Sequence, residues 1–190
     1  MSPASVRSPA TTRTSDPVTA QYENYTTGRD SQIKFHGDTR LGQTFTPGTD
    51  HTIIKLIIGM NRIGTPGTVT VAIRETDASG HPTGDDLVSA TFDAGELVAT
   101  PSWEWKEVAM PAVHVKADTK YAIEVRHPTG NTNNCPLIQL DTSAATYGGG
   151  NYVASTDAGA TWADNLNADV MFEEHGGRDL PTVRTPDPAR

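Results

Sequence analysis

Thr68-Val69-Thr70-Val71-Ala72-Ile73-Arg74 alternates with a period of two, so that Val69, Val71 and Ile73 share one face of an extended strand. Residues 120–126 repeat the pattern: Tyr121, Ile123 and Val125 face one way, while Lys120, Glu124 and Arg126 face the other. That is the signature of a sheet with one dry side and one wet side. Val170 and Phe172 close the series. In residues 53–60 the alternating set Ile54, Leu56, Ile58 and Met60 is opposed by Ile53 and Ile57, which marks a central strand with two apolar faces. Trp103 and Trp105 alternate with Glu104 and Lys106, but Val108 and Met110 are out of phase with them, and a β-bulge near Lys106 restores the register.

Further strands are expected at residues 32–36, 42–46, 87–93, 137–141 and 152–155, about nine or ten in all. Turn residues separate them: Gly64-Thr65-Pro66-Gly67, Asp77-Ala78-Ser79-Gly80, Pro82-Thr83-Gly84, His127-Pro128-Thr129-Gly130 and Gly148-Gly149-Gly150. No segment has a helical period. Many short strands without helices mean a sandwich or barrel, and one-sided alternation favours two packed sheets. The expected fold is all-β, an antiparallel two-sheet jelly-roll β-sandwich over residues 21–176, flanked by extended arms at residues 1–20 and 177–190. Each arm carries three prolines among small and polar residues and has too little apolar surface for a core of its own. A length of 190 residues fits one such domain with extensions.

Charge is unevenly placed. The net value is -8, yet residues 21–176 hold 10 basic against 20 acidic side chains, so each arm has a net charge of +1. An acidic body argues against nucleic acid as a partner. The longest apolar run, at residues 53–58, is interrupted by Lys55 and is far short of the roughly 18–20 residues that span a bilayer as a helix, so no membrane partner is expected. The N-terminal residues lack the apolar stretch of a secretory signal, and synthesis without a signal peptide is expected. The single cysteine, Cys135, has no partner for an internal disulfide and reads as a small strand residue.

The sharpest local pattern is Ser155-Thr156-Asp157-Ala158-Gly159-Ala160-Thr161-Trp162. It matches the Asp-box consensus at Ser155, Asp157, Gly159, Thr161 and Trp162. Its physics is local: a short carboxylate bonds amides of its own turn, glycine takes a positive φ, and the indole packs beneath the hairpin. Asp boxes recur in sialidase propellers once per blade, away from the catalytic centre, so a single copy reads as structural. Asp77, Asp85 and Asp86 supply oxygens of the kind calcium takes, but their spacing matches no defined calcium loop, and no metal or cofactor is assigned. The six histidines, His36, His51, His81, His114, His127 and His175, have no metal-ligand spacing and read as solvated loop residues. No nucleophile elbow, phosphate-binding glycine loop or reactive cysteine context occurs, so no catalytic residue is assigned. Trp103, Trp105, Tyr147, Tyr152 and Trp162 could form a sugar-stacking platform, with core packing the stronger reading.

Residues 67–74, the turns at 76–80 and 82–84, residues 119–125, the Asp-box pattern and residues 169–173 follow one another as in a widespread jelly-roll module. From about residue 40 to 176 the chain resembles modules of phage virion proteins and bacterial surface proteins. The resemblance implies an adhesive or structural role and carries no catalytic residues. The expected function is therefore a non-enzymatic structural protein on the surface of a tailed-phage particle, a head decoration subunit first and a tail or fibre attachment protein next. Its partners would be the major capsid or other virion proteins and copies of itself, contacted through Arg7, Arg13, Tyr22, Tyr25 and Arg184. The alternative is a carbohydrate-binding or adhesion module that recognises host surface glycans.

Overall fold

The computed structural model describes residues 19–177; Arg7, Arg13 and Arg184 lie outside the described residues. Among the described residues thirteen strands form two sheets, and every ladder between these strands is antiparallel. The first sheet runs β1 (Ala20–Tyr25), β13 (Phe172–Gly177), β4 (His51–Ile63), β9 (Cys135–Asp141) and β12 (Asp169–Val170), with β2 (Ser31–Lys34) on β9 and β7 (Glu104–Val115) on β4. The second runs β11 (Ala163–Asn165), β10 (Tyr152–Ser155), β3 (Arg40–Phe45), β8 (Tyr121–Arg126), β5 (Thr68–Thr76) and β6 (Pro82–Asp93). From β3 to β10 the chain changes sheet at nearly every step, which is the winding of a jelly roll. The fold is thus an all-β, two-sheet antiparallel sandwich. Its sheets extend from Ala20 to Gly177, one residue beyond the expected body at each end.

The alternating sequences occupy the places their period dictates. Val69, Val71 and Ile73 of β5 and Tyr121, Ile123 and Val125 of β8 are buried against Leu56, Ile58, Met60, Val108, Ile138 and Phe172 of the opposite sheet, all in one core. Gln43 links the two layers through that core: its Nε2 donates to Asp169 Oδ1 at 2.9 Å and its Oε1 accepts from the Val170 amide at 2.7 Å. Burial raises the Asp169 carboxyl, although the Gln43 bond works against that rise.

Three strand readings change. In β4 the register shifts between Ile53 and Lys55, so the inward set becomes His51, Ile53, Leu56, Ile58 and Met60, with Ile54 only half-buried. An extra residue in a ladder reverses which face the following side chains occupy. The same shift replaces the bulge expected near Lys106: Ile53 pairs with Val113 and Lys55 with Ala109, which places the irregularity on β7 around Pro111, a residue with no amide hydrogen to donate. Consequently Lys106 stays in phase with Val108 and Met110. Its ammonium lies 4.9 Å from the centre of the Phe92 ring, and Trp105 faces out on the other side, 37% exposed. Finally, Ala20–Tyr25 is a full edge strand although AQYENY has no clean apolar alternation.

Candidate functional site

Residues 155–162 form the turn between β10 and β11, and every defined side chain of the pattern has a task. Asp157 Oδ1 accepts from the Thr161 amide at 2.9 Å and from Ser155 Oγ at 2.8 Å, and its Oδ2 accepts from Thr161 Oγ1 at 2.6 Å. Ser155 Oγ in turn accepts from the Gly159 amide at 2.8 Å. Ala158 and Gly159 take φ of 59° and 86°, the left-handed region in which glycine is free of strain. The Thr161 and Ser155 bonds hold the Asp157 carboxyl at about 2. Because that value lies below the ordinary aspartate value of 3.8, the contribution of Asp157 is complete above pH 3.8 and is lost as pH falls through about 2. D157A is expected to abolish hydrogen-exchange protection of the Thr161 and Gly159 amides at neutral pH while leaving Val71 and Ile123 protected. Unchanged exchange at Thr161 would remove Asp157 as the organiser of this turn.

Trp162 is only half-buried and lies between hairpins instead of beneath its own. Together with Gly159, Ala160 and Thr161 it forms one wall of a cleft of about 460 Å³. Arg74, Asp77, His81, Pro82, Thr83 and Gly84 of the β5–β6 hairpin complete the cleft. Two register shifts, flanking Arg74, bend that hairpin. His81 Nε2 reaches Asp164 Oδ2 of β11 at 3.0 Å and ties the two hairpins together. Asp77 shapes its own turn: Oδ1 accepts from the Ser79 amide at 2.8 Å and the His81 amide at 3.0 Å, and these bonds lower its carboxyl.

Arg74 connects the cleft to a charge cluster on the outer face of the second sheet. Glu124 points away from the core, as its period requires, yet it is fully buried instead of solvated. Its Oε1 accepts from Arg40 Nη1 at 3.1 Å and Arg126 Nη1 at 3.0 Å, and its Oε2 accepts from Arg74 Nη1 at 2.7 Å. Asp86 closes the cluster through Arg126 Nη2 at 2.6 Å. Gly42 and Ala72 flank Glu124 on the neighbouring strands.

The other aromatic candidates are dispersed. Trp103 and Trp105 form an edge-to-face pair, ring centres 5.3 Å apart, on the outer face of the first sheet, with the Arg29 guanidinium 5.2 Å from Trp103. Tyr152 is buried in the core, and burial pushes its hydroxyl up to about 12. Tyr147 packs edge-on to Phe172 and donates to Glu23 Oε2 at 2.7 Å. No single platform gathers all five. Asp86 pairs with arginine and Asp77 caps a turn, and among the described residues no group of three or more His, Cys, Asp or Glu side chains could hold a metal ion.

Of the residues expected to meet a partner, Tyr25 is a core residue: it is 7% exposed and its hydroxyl donates to Asp141 Oδ2 at 2.5 Å. Tyr22 is half-buried and stacks flat on His51, ring centres 3.8 Å apart at an interplanar angle of 2°. His51 and His127 are not loop histidines in solvent; both are fully buried. Cys135 is a buried strand residue whose thiol is raised by that burial. No protein-family model and no curated protein matches this chain.

Proposed function

We propose that the chain is a non-enzymatic structural protein of a tailed-phage particle, a decoration subunit tied to the head by its two terminal segments. The supporting observation is the β1–β13 ladder, in which Ala20 pairs with Gly176. The two ends of the described residues therefore lie side by side at one edge of the first sheet, and the terminal segments of the sequence each carry net positive charge while the body is acidic. Two basic segments from a single point can reach two neighbouring acidic bodies, whether the major capsid protein or further copies of this chain. The edge strand that launches the first of them is held firmly: Tyr22 stacks on His51, Glu23 accepts from Tyr147, and Tyr25 is bound to Asp141. Pull on the segment is thus transmitted to the core.

Deleting residues 1–18 or 178–190 spares β1 and β13, so each shortened protein is expected to unfold at the same temperature as the full chain. Each is expected to lose at least tenfold in co-sedimentation with phage heads lacking the protein, and full-chain binding should weaken as salt rises from 50 to 500 mM. Retention of full binding by both shortened proteins would overturn the arm attachment.

A further inference from the structure

We propose that the cleft between the β5–β6 and β10–β11 hairpins is a binding site for a neutral saccharide. This inference is independent of the attachment role assigned to the arms. A volume of about 460 Å³ falls within the roughly 300–1,000 Å³ of small-molecule sites. Its lining is mainly polar and combines one aromatic side chain with hydroxyl, carboxylate, imidazole and guanidinium groups. Sugars present this combination in reverse: an apolar C–H face for an aromatic ring, and a rim of hydroxyls that each donate and accept. Trp162 supplies the ring. Asp77 Oδ2 is the oxygen left to accept from ligand hydroxyls, since Oδ1 is occupied by the Ser79 and His81 amides. Thr83 and Thr161 line opposite walls, and the Thr161 hydroxyl, which donates to Asp157, keeps its lone pairs as acceptors.

Charge selects within the sugars. Arg74 in the cleft belongs to the cluster in which Arg40, Arg74 and Arg126 face Glu124 and Asp86, so that Asp77 brings cluster and cleft together to three cations against three anions; Arg74 Nη2 also donates to the Gly84 carbonyl. Asp77 adds a negative charge, its carboxylate held by the His81 and Ser79 amides. A uronate or sialate would meet that carboxylate without a free cation to receive it. Neutral hexoses and N-acetylhexosamines meet no such penalty.

The walls are also fixed before any ligand arrives. The bonds within residues 155–162 hold one wall, Asp77 holds the other, and the His81–Asp164 contact joins them. Preorganisation of this kind lowers the ordering cost of binding.

The test is a glycan array carrying neutral hexose, N-acetylhexosamine, sialylated and uronate-containing oligosaccharides, probed with the full chain. The best-retained neutral glycan would then be titrated calorimetrically into wild type, W162A, T83A and W105A. Retention of neutral glycans is expected, with affinity falling at least tenfold in W162A and about three- to tenfold in T83A. W105A, on the opposite sheet, should bind as wild type. T83A keeps the test decisive should W162A disturb its hairpin, since Thr83 is an exposed residue of the other wall. The assignment is overturned by retention of no glycan, by retention of acidic glycans alone, by full affinity in T83A, or by loss of binding in W105A, which would move the site to the Trp103–Trp105 pair.

Discussion

E124A is expected to lower the unfolding free energy by about 3 kcal/mol, read by urea denaturation with tryptophan fluorescence. The residue lies in the second sheet, where its carboxylate is fully buried and receives charge-assisted hydrogen bonds from Arg40, Arg74 and Arg126. With Asp86 included, the cluster has three cations and two anions; removing Glu124 leaves three cations around one anion. Breaking a buried ion pair by deleting one partner costs roughly 3–5 kcal/mol, mostly the cost of the charge left behind. Here the arginine side chains keep 12–25% of their surface in contact with solvent, which allows partial rehydration and places the effect at the low end of that range. E107A is the comparison. Glu107 pairs with Lys55 at 3.2 Å, but its side chain is 63% exposed, and exposed pairs contribute between about 0 and 1 kcal/mol. Equal losses in E124A and E107A would show that the cluster is a solvated surface feature. Because Arg74 lines the cleft, E124A should also loosen the β5–β6 wall and weaken ligand retention there.

The sequence makes the sandwich readable wherever one face of a strand is dry. Val69, Val71 and Ile73, and Tyr121, Ile123 and Val125, all reach the core because burial on one side imposes a period of two. Legibility fails where pairing, not pattern, decides. Ala20–Tyr25 is a strand because β13 offers it an edge, and its polar residues find partners in Tyr147 and His51 that lie far along the chain. Trp103 and Trp105 look like core residues by type, and the resulting mismatch with Val108 invites a bulge. The structure resolves it differently: Lys106 lies along Phe92 and both indoles face outward. The same division holds at the cleft. The bonds of residues 155–162 span at most four positions and follow from the local pattern. The opposite wall is joined through His81 and Asp164, 83 positions apart, a distance no local motif can span. Glu124 shows the limit of face assignment. Period two correctly turns it away from the core, but its burial comes from arginines on three different strands.

The buried His51–Glu174 pair is expected to make stability fall as pH rises above about 6.5, and to make H51A the most damaging substitution beneath the edge strand β1. Both ring nitrogens of His51 face oxygen: Nδ1 is 2.8 Å from the Thr49 carbonyl and Nε2 is 2.6 Å from Glu174 Oε1. An imidazole needs a hydrogen on each nitrogen to satisfy two acceptors, unless Glu174 itself supplies the proton to Nε2. Either way the pair holds a proton that the separated groups would release. Burial works to lower His51, but its bonds to Glu174 and Thr49 outweigh burial and raise it; burial raises Glu174. The signs agree. Groups raised in the folded state contribute stability that is complete below their unfolded values and is lost as pH rises through the folded ones. For His51 that loss begins above the ordinary histidine value of 6.5, with a slope approaching about 1.4 kcal/mol per pH unit for one retained proton. E174Q separates charge from shape. Its amide can donate to a neutral imidazole, so the fold survives and the slope between pH 6.5 and 8.5 should flatten. H51A instead leaves Glu174 buried without a partner and removes the surface on which Tyr22 stacks, at a cost of about 3–5 kcal/mol. Identical pH slopes in wild type and E174Q, measured by urea unfolding at pH 5.5, 6.5, 7.5 and 8.5, would show that the pair carries no extra proton. A flattened slope would make the edge strand beneath the first terminal segment sensitive to alkaline pH, and attachment through that segment should weaken over the same interval.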